Sequence, residues 1–185
     1  MPVSINGNTG VITGISAGGL PDGCITADDL ASGAGGKILQ VVSTAKTDAA
    51  SQALTGSGNF FDISGMSVSI TPSSSSNKVL VMTTVAVACN DADQNNFIRL
   101  RRDSTDIALG TGGGTTNAFF YHRARNSFAP ESISVHFLDS PATTSAVTYK
   151  VRWSGENGDT YFINRNTTNT NEGMISVITV MEVAA

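Results

Sequence analysis

The chain has 185 residues, of which only 14% are charged, and its formal net charge at pH 7 is −4. This balance argues against general nucleic-acid binding, which needs a strong excess of basic residues. No apolar run approaches the roughly 20 residues of a membrane-spanning helix, and the N-terminus lacks the basic and apolar segments of a signal peptide. We therefore expect a protein that is made in a cytoplasm and that has neither nucleic acid nor membrane as a partner.

Residues 1–36 differ in composition from the rest of the chain. They are dense in Gly, and their small apolar residues are too few and too separated to make a core. We expect an irregular attachment arm over residues 1–36, ahead of a head domain over residues 37–185. The arm should dock on a partner through its isolated apolar residues, which are Val3, Ile5, Val11, Ile12, Ile15, Leu20 and Leu30. Its Cys24 and the distant Cys89 have no CxxC spacing; one disulfide between them is open, and we favour two unrelated thiols.

From residue 37 onward the pattern is that of short strands separated by turn residues. The predicted strands are 38–42, 60–70, 78–89, 97–102, 105–109, 119–125, 132–138, 147–153, 161–164 and 174–183. The clearest alternation places Val147, Tyr149, Val151 and Trp153 on one face. Short alternating segments without a helical period predict an all-β chain that folds as an antiparallel β-sandwich, most simply a jelly roll.

The strand at Lys78–Cys89 is unusual because neither of its faces is polar. One face should enter the sandwich core, and we expect the other to pack against a second subunit around a shared axis. The strand at Met174–Val183 repeats this doubly apolar pattern. The predicted subunit interface comprises Leu80, Met82, Thr84, Ala86, Ala88, Ile178 and Val180.

The sequence matches catalytic and metal-binding motifs only in part. Gly14–Gly18 matches the G-x-S-x-G pattern of hydrolases, but it lies in the arm, outside the strand–turn–helix that this nucleophile requires.

Asp91, Asp93 and Asn95 carry oxygens spaced as at the start of a calcium loop. The Gly and Glu that would complete an EF-hand are replaced, which favours a solvated loop. The carboxylates are scattered over loops, so we expect no enzyme and no cofactor.

A cluster of cationic and aromatic residues leaves two interpretations open. It can bind an anionic glycan, or its arginines can lie on an outer sheet face balanced by Asp103 and Asp106, which we favour. Its aromatic members can form a sugar-stacking platform or fill the core. The cluster comprises Arg99, Arg101, Arg123, Arg125, Tyr161 and Phe162.

Several stretches resemble one class of virion protein. INGNTGVITGISAGGLPDGCITADDLA, followed by GKILQVV, resembles N-terminal and linker segments of tail-fibre-like proteins of tailed bacteriophages, notably those of marine cyanobacteria. The stretches ITPSSSSNKVLV, FLDSPATTSAVTYKVRWSG, TYFINRN and ISVITVMEV resemble the terminal head domains of such proteins. The resemblance implies a homotrimeric head similar to the C1q/TNF type and an arm tied to tail, portal-adaptor or capsid proteins.

These observations lead to three hypotheses. The first is a non-enzymatic phage virion protein, a short trimeric fibre or knob that is anchored by its arm and that contacts a host surface glycan. The second is a capsid decoration protein that cements neighbouring shell subunits, since the chain lacks the long shaft of a full fibre. The third, of another class, is a carbohydrate-binding module, which requires a solvent-facing aromatic platform beside the arginines.

Overall fold

The computed structural model describes residues 4–6, 11–13, 37–112, 114–125, 128–168 and 173–185. The chain divides into two units, Met1–Lys37 and Ile38–Ala185. In the first unit, β1 (Ser4–Asn6) and β2 (Val11–Thr13) pair as an antiparallel ribbon. A part of the arm that was expected to be irregular is therefore β-structure. Ile5, Val11 and Ile12 lie on this ribbon, whereas Val3, Ile15, Leu20, Cys24 and Leu30 lie outside the described residues.

The second unit is built of strands joined by turns. Its strands are β3 (Ile38–Lys46), β4 (Ala50–Ala53), β5 (Phe61–Ile70), β6 (Lys78–Cys89), β7 (Asn95–Arg102), β8 (Thr105–Ile107), β9 (Phe120–Arg123), β10 (Glu131–Asp139), β11 (Val147–Gly155), β12 (Thr160–Ile163) and β13 (Ser176–Val183). A single 3-10 turn, Gly114–Thr116, is the only helical element in the described part of the chain. No helix there is long and apolar enough to cross a membrane. The prediction of an all-β antiparallel sandwich is confirmed.

The strands form two sheets, which we call the front and back sheets. The front sheet runs β3-β13-β6-β10, and β12 and β4 continue it beside the far end of β6. The back sheet runs β5-β11-β7, with β8 and β9 both pairing the free side of β7. Eight strands of the two sheets remain when β4, β8 and β12 are set aside. Numbered one to eight along the chain, they lie in the order one, eight, three, six across the front sheet and two, seven, four, five across the back sheet. This is the strand order of a jelly roll.

Alternating side chains from both sheets fill the space between them. On β11 the predicted inward residues Val147, Tyr149, Val151 and Trp153 are all buried, and Val79, Val81 and Val85 of β6 face them across the core. Close packing also fixes a backbone position, because a side chain at Gly155 would overlap the ring of Tyr161.

A buried polar cluster joins the two sheets. The hydroxyl of Tyr149 on β11 donates a 2.7 Å hydrogen bond to Asp139 at the end of β10. Arg102 of β7 donates to both oxygens of the same carboxylate, at 2.9 and 2.7 Å. Asp139 is buried, so these donors replace the water that it loses on folding. Burial and the hydrogen bond to Asp139 raise the pKa of Tyr149 far above its usual value.

A second buried carboxylate fixes the C-terminal strand. Glu182 of β13 is 1% exposed and accepts hydrogen bonds from Gln40 Nε2, Ser73 N, Ser73 Oγ and Asn77 Nδ2, at 2.6 to 2.8 Å. Burial alone would raise the pKa of Glu182, but the hydrogen bonds from Asn77, Gln40 and Ser73 outweigh it and hold the pKa at about 2. Glu182 thus ties β13 to β3 and to the turn before β6.

Candidate functional site

The outer surface of the front sheet carries rows of uncharged side chains. Register across β3, β13, β6 and β10 aligns them in three rows of four. The rows are Val41, Met181, Leu80, Leu138; Ser43, Thr179, Met82, His136; and Ala45, Val177, Thr84, Ser134. We call these twelve residues the front face. His136 is its only titratable member.

Much of this front face is open in the single chain. Val41 is 56% exposed, Leu138 45% and Met82 43%, and Ile38 and Leu39 are also exposed at the start of β3. The middle of the face forms a shallow groove of about 340 Å³ between β13, β6 and β10. The hydroxyls of the front face pair with one another, in the 2.8 Å contact of Ser43 with Thr179 and the 2.9 Å contact of Thr84 with Ser134. The front face therefore presents side chains without a formal charge, and its four hydroxyls bond to one another in pairs.

Part of the predicted interface lies on this face and part does not. Leu80, Met82 and Thr84 point outward, whereas Ile178 and Val180 are fully buried in the chain's own core. The assignment of Ile178 and Val180 to an interface is wrong, and the outward residues of β13 are Val177, Thr179 and Met181. Because both faces of β13 are apolar, alternation alone did not distinguish them.

Ala86 and Ala88, also predicted at the interface, are buried within the chain. The far end of β6 is flanked by β12 and by the start of β13. The N–H of Ala86 donates to the Ser176 hydroxyl at 3.0 Å, its carbonyl accepts from the Asn164 N–H at 3.0 Å, and Phe162 lies opposite Ala88. These two alanines are thus covered by their own chain, and this part of the prediction is wrong.

The outer surface of the back sheet has the opposite character, because charged residues alternate along it. Asp62 pairs with Lys150 at 3.1 Å and with Arg152 at 3.0 Å, and Arg152 continues to Asp106 at 3.3 Å. Arg99 and Arg101 pair with the same Asp106, at 3.0 and 3.7 Å. We call this series the charge ladder. It confirms the interpretation of Arg99 and Arg101 as an outer sheet face balanced by Asp106, while Asp103 instead accepts a hydrogen bond from Thr148 N.

The aromatic residues expected to stack on sugar are placed elsewhere. Tyr161 is 1% exposed and lies in the core, where its hydroxyl donates to the Asn95 carbonyl at 2.7 Å. Its burial raises its pKa. Phe162 is half-buried, and the Arg165 guanidinium lies 5.0 Å from its ring centre. The prediction of Tyr161 as a sugar contact is therefore wrong. The Arg165 guanidinium lies over the ring of Phe162, where a sugar would have to stack.

A different aromatic residue faces solvent near the two remaining arginines. Tyr121 of β9 is 51% exposed, and its ring packs at 5.3 Å against Phe97 of β7. Beside it lies a depression of about 460 Å³, lined by Asp93, Phe120, Tyr121, His122, Arg123, Arg125 and Glu131. Sequence reasoning missed Tyr121 because the run of Phe119, Phe120 and Tyr121 shows no alternation. The structure places it on the outer face, where β9 pairs with β7 and Tyr121 lies opposite Phe97.

The three residues of the calcium candidate serve different protein partners. Asp91 accepts from the N–H of Ala92 at 2.8 Å, Asn95 accepts from Tyr121 and donates to Glu156, and Asp93 lies 3.5 Å from Arg123. Within the described ranges no group of three or more His, Cys, Asp or Glu side chains is placed to hold a metal ion. Cys89 is a buried free thiol, and burial raises its pKa.

No family model and no curated protein matches the chain. Solved structures that are similar to it include two of one viral protein. The VP2 subviral particle of infectious bursal disease virus has 7% sequence identity and a TM-score of 0.39 over 78% of this chain. A mutant VP2 of the same virus, in derived T=1 particles, has 9% identity and a TM-score of 0.38 over 79%. The chain spans only 39% and 36% of those two proteins, and similarity at this level assigns no function.

Proposed function

We propose that the chain is a structural protein of a virus particle, a self-associating knob that is attached to the particle by residues 1–36. The observation that carries the self-association is the difference between the two outer surfaces of the sandwich. One bears the charge ladder, while the other bears three rows of side chains without a formal charge. The particle itself is inferred from the resemblance of the sequence to phage fibre proteins.

The front face has the composition of a protein interface. Contiguous apolar patches are rarely left open on monomeric proteins, and the cores of interfaces are depleted of charged residues. Met82 lies between Thr179 and His136, and Leu138 lies beside Leu80, so burial of these two apolar side chains would desolvate no formally charged neighbour in their rows. A second copy of the chain, which offers the same uncharged surface, is the partner that we propose.

Closed rotational symmetry is the usual outcome when a chain associates with itself. The resemblance to trimeric heads favours three copies around one axis, with their front faces inward and their charge ladders in solvent. In that arrangement the charged surface keeps its water and the apolar surface loses it. This is the lowest-cost distribution of the two surfaces.

Residues 1–36 are proposed as the attachment segment. The β1–β2 ribbon consists of two three-residue strands, and an isolated two-stranded ribbon is marginally stable in water. Docking on a tail, portal-adaptor or capsid protein would supply the missing contacts. Three copies of the segment on one trimer would multiply weak contacts into firm attachment.

Particle assembly with and without this segment tests the proposal. We expect a chain of residues 37–185 to remain folded and to keep the oligomeric state of the full chain, yet to be absent from purified particles. Normal incorporation of the shortened chain would place the attachment surface on the knob and contradict the proposal. The same two surfaces would serve either a tail fibre or a capsid decoration protein. The position of the protein in a particle reconstruction separates these two roles.

A further inference from the structure

We infer that the depression beside the end of β9 binds a saccharide that carries an acidic group. This inference goes beyond the proposed role in a virus particle and depends on that role only for the source of the saccharide. Its lining residues come from the loop before β7, from β9 and the residues after it, and from the start of β10. Tyr121 pairs with Phe97 on the outer surface of the back sheet, two residues along β7 from Arg99 of the charge ladder.

The ring of Tyr121 is both exposed and held in place. Phe97 packs against one side of it at a 45° tilt, and its hydroxyl donates a 2.5 Å hydrogen bond to Asn95 Oδ1. Asn95 is fixed in turn by its amide, which donates to Glu156 at 2.6 Å. A ring positioned before binding loses little freedom when a ligand stacks on it. The C–H face of a pyranose ring matches such an exposed aromatic surface.

The polar residues of the depression match the hydroxyl edge of a sugar. Glu131 contacts His122 at 2.7 Å, and Arg123 contacts the Asp93 carboxylate at 3.5 Å and its carbonyl at 3.1 Å. The Arg123 and Asp93 side chains are 59% and 75% exposed, so this pair is accessible to a ligand. Donors and acceptors thus both line the depression beside Tyr121, as in pockets that orient polar ligands.

Arg125 gives the site its preference for an acidic group. It lines the depression, is exposed, and has no hydrogen-bond or ion-pair partner among the described residues. Arg123, the other arginine of the depression, already faces the Asp93 carboxylate. A guanidinium binds a carboxylate through two parallel hydrogen bonds, so a sugar with a carboxylate beside its ring would use Tyr121 and Arg125 together.

Ligand-observed NMR titration of the full chain with methyl β-D-glucuronide and methyl β-D-glucoside tests the inference. We expect the glucuronide to bind about tenfold more tightly than the glucoside. Arg125→Gln should remove this difference, and Tyr121→Ala should abolish binding of both sugars. Tyr121→Phe keeps the ring and should bind within about twofold of the original chain. Lys78→Gln, which removes an exposed cation at the start of β6, should change nothing.

Three results would overturn the inference. The first is no saturation transfer to either sugar, and the second is unchanged binding in Tyr121→Ala. The third is dissociation of the oligomer by Tyr121→Ala, which would make the aromatic residue a subunit contact. None of these results bears on attachment through residues 1–36. Conversely, a knob that fails to join particles would still bind the glucuronide, so the two proposals fail separately.

Discussion

Replacing the buried carboxylate of Glu182 should destabilise the knob more than any change to its surface carboxylates. In Glu182→Gln the side chain keeps its size, but an amide nitrogen takes the place of one acceptor oxygen. That nitrogen must then face the donors of Gln40 or of Ser73 and Asn77, and the charge that strengthened all four hydrogen bonds is lost.

The magnitude follows from the pKa of Glu182. Folding lowers it from 4.5 to about 2, and each unit corresponds to about 1.4 kcal/mol, so the ionised form contributes about 3 kcal/mol. Because the folded pKa is depressed, this stability is fully present above pH 4.5 and is lost as the pH falls toward 2. Glu182→Gln should therefore reduce the free energy of unfolding by about 3 kcal/mol at neutral pH. It should also flatten the loss of stability below pH 4.5.

Urea unfolding followed by the fluorescence of Trp153 measures this directly, since Trp153 is the only tryptophan and is buried. The protein concentration must be held constant if the folded state is an oligomer. Asp62→Asn is the matched control, because it removes a half-exposed carboxylate of the charge ladder and should cost below about 1 kcal/mol. Equal losses in the two variants, or an unchanged acid profile in Glu182→Gln, would show that the ionised Glu182 carboxylate does not contribute this stability.

Two further substitutions test the packing between the sheets. Tyr149→Phe removes the buried hydroxyl that donates to Asp139 but leaves Arg102 as a donor, so it should lower the free energy of unfolding by about 1 to 2 kcal/mol in the same assay. Gly155→Ala places a methyl group inside the ring of Tyr161, so it should cost at least about 3 kcal/mol or abolish soluble expression. Wild-type melting of the Gly155→Ala variant would show that the contact of Gly155 with Tyr161 is wrongly described.

The strands were predictable because turn residues separate clear alternations. β6 begins and ends at the predicted residues, and β11 has the predicted inward face. β4 was missed because its four residues, ASQA, offer neither β-branched side chains nor an apolar alternation. The ribbon of β1 and β2 was missed because its strands are three residues long and surrounded by Gly.

Which face of an apolar strand turns outward depends on contacts that alternation does not encode. On β13, the even-numbered residues turn inward together with Glu182, whose donors come from residues more than a hundred positions away. The surroundings of the arginines also depend on contacts that alternation does not encode. Arg99 and Arg101 pair with Asp106 across the β7–β8 turn, while Arg123 and Arg125 line the depression beside β9.

Sedimentation equilibrium at micromolar concentration tests whether other copies of the chain cover the front face. We expect a mass three times that of the 19.1 kDa chain. Met82→Glu should dissociate this species, because it places a carboxylate in a desolvated contact whose side chains carry no formal charge. Ser67→Glu makes the same kind of change at an exposed position of the back sheet opposite Lys150, and it should leave the mass unchanged. A stable folded monomer for the unmodified chain, or a trimer that survives Met82→Glu, would contradict the claim.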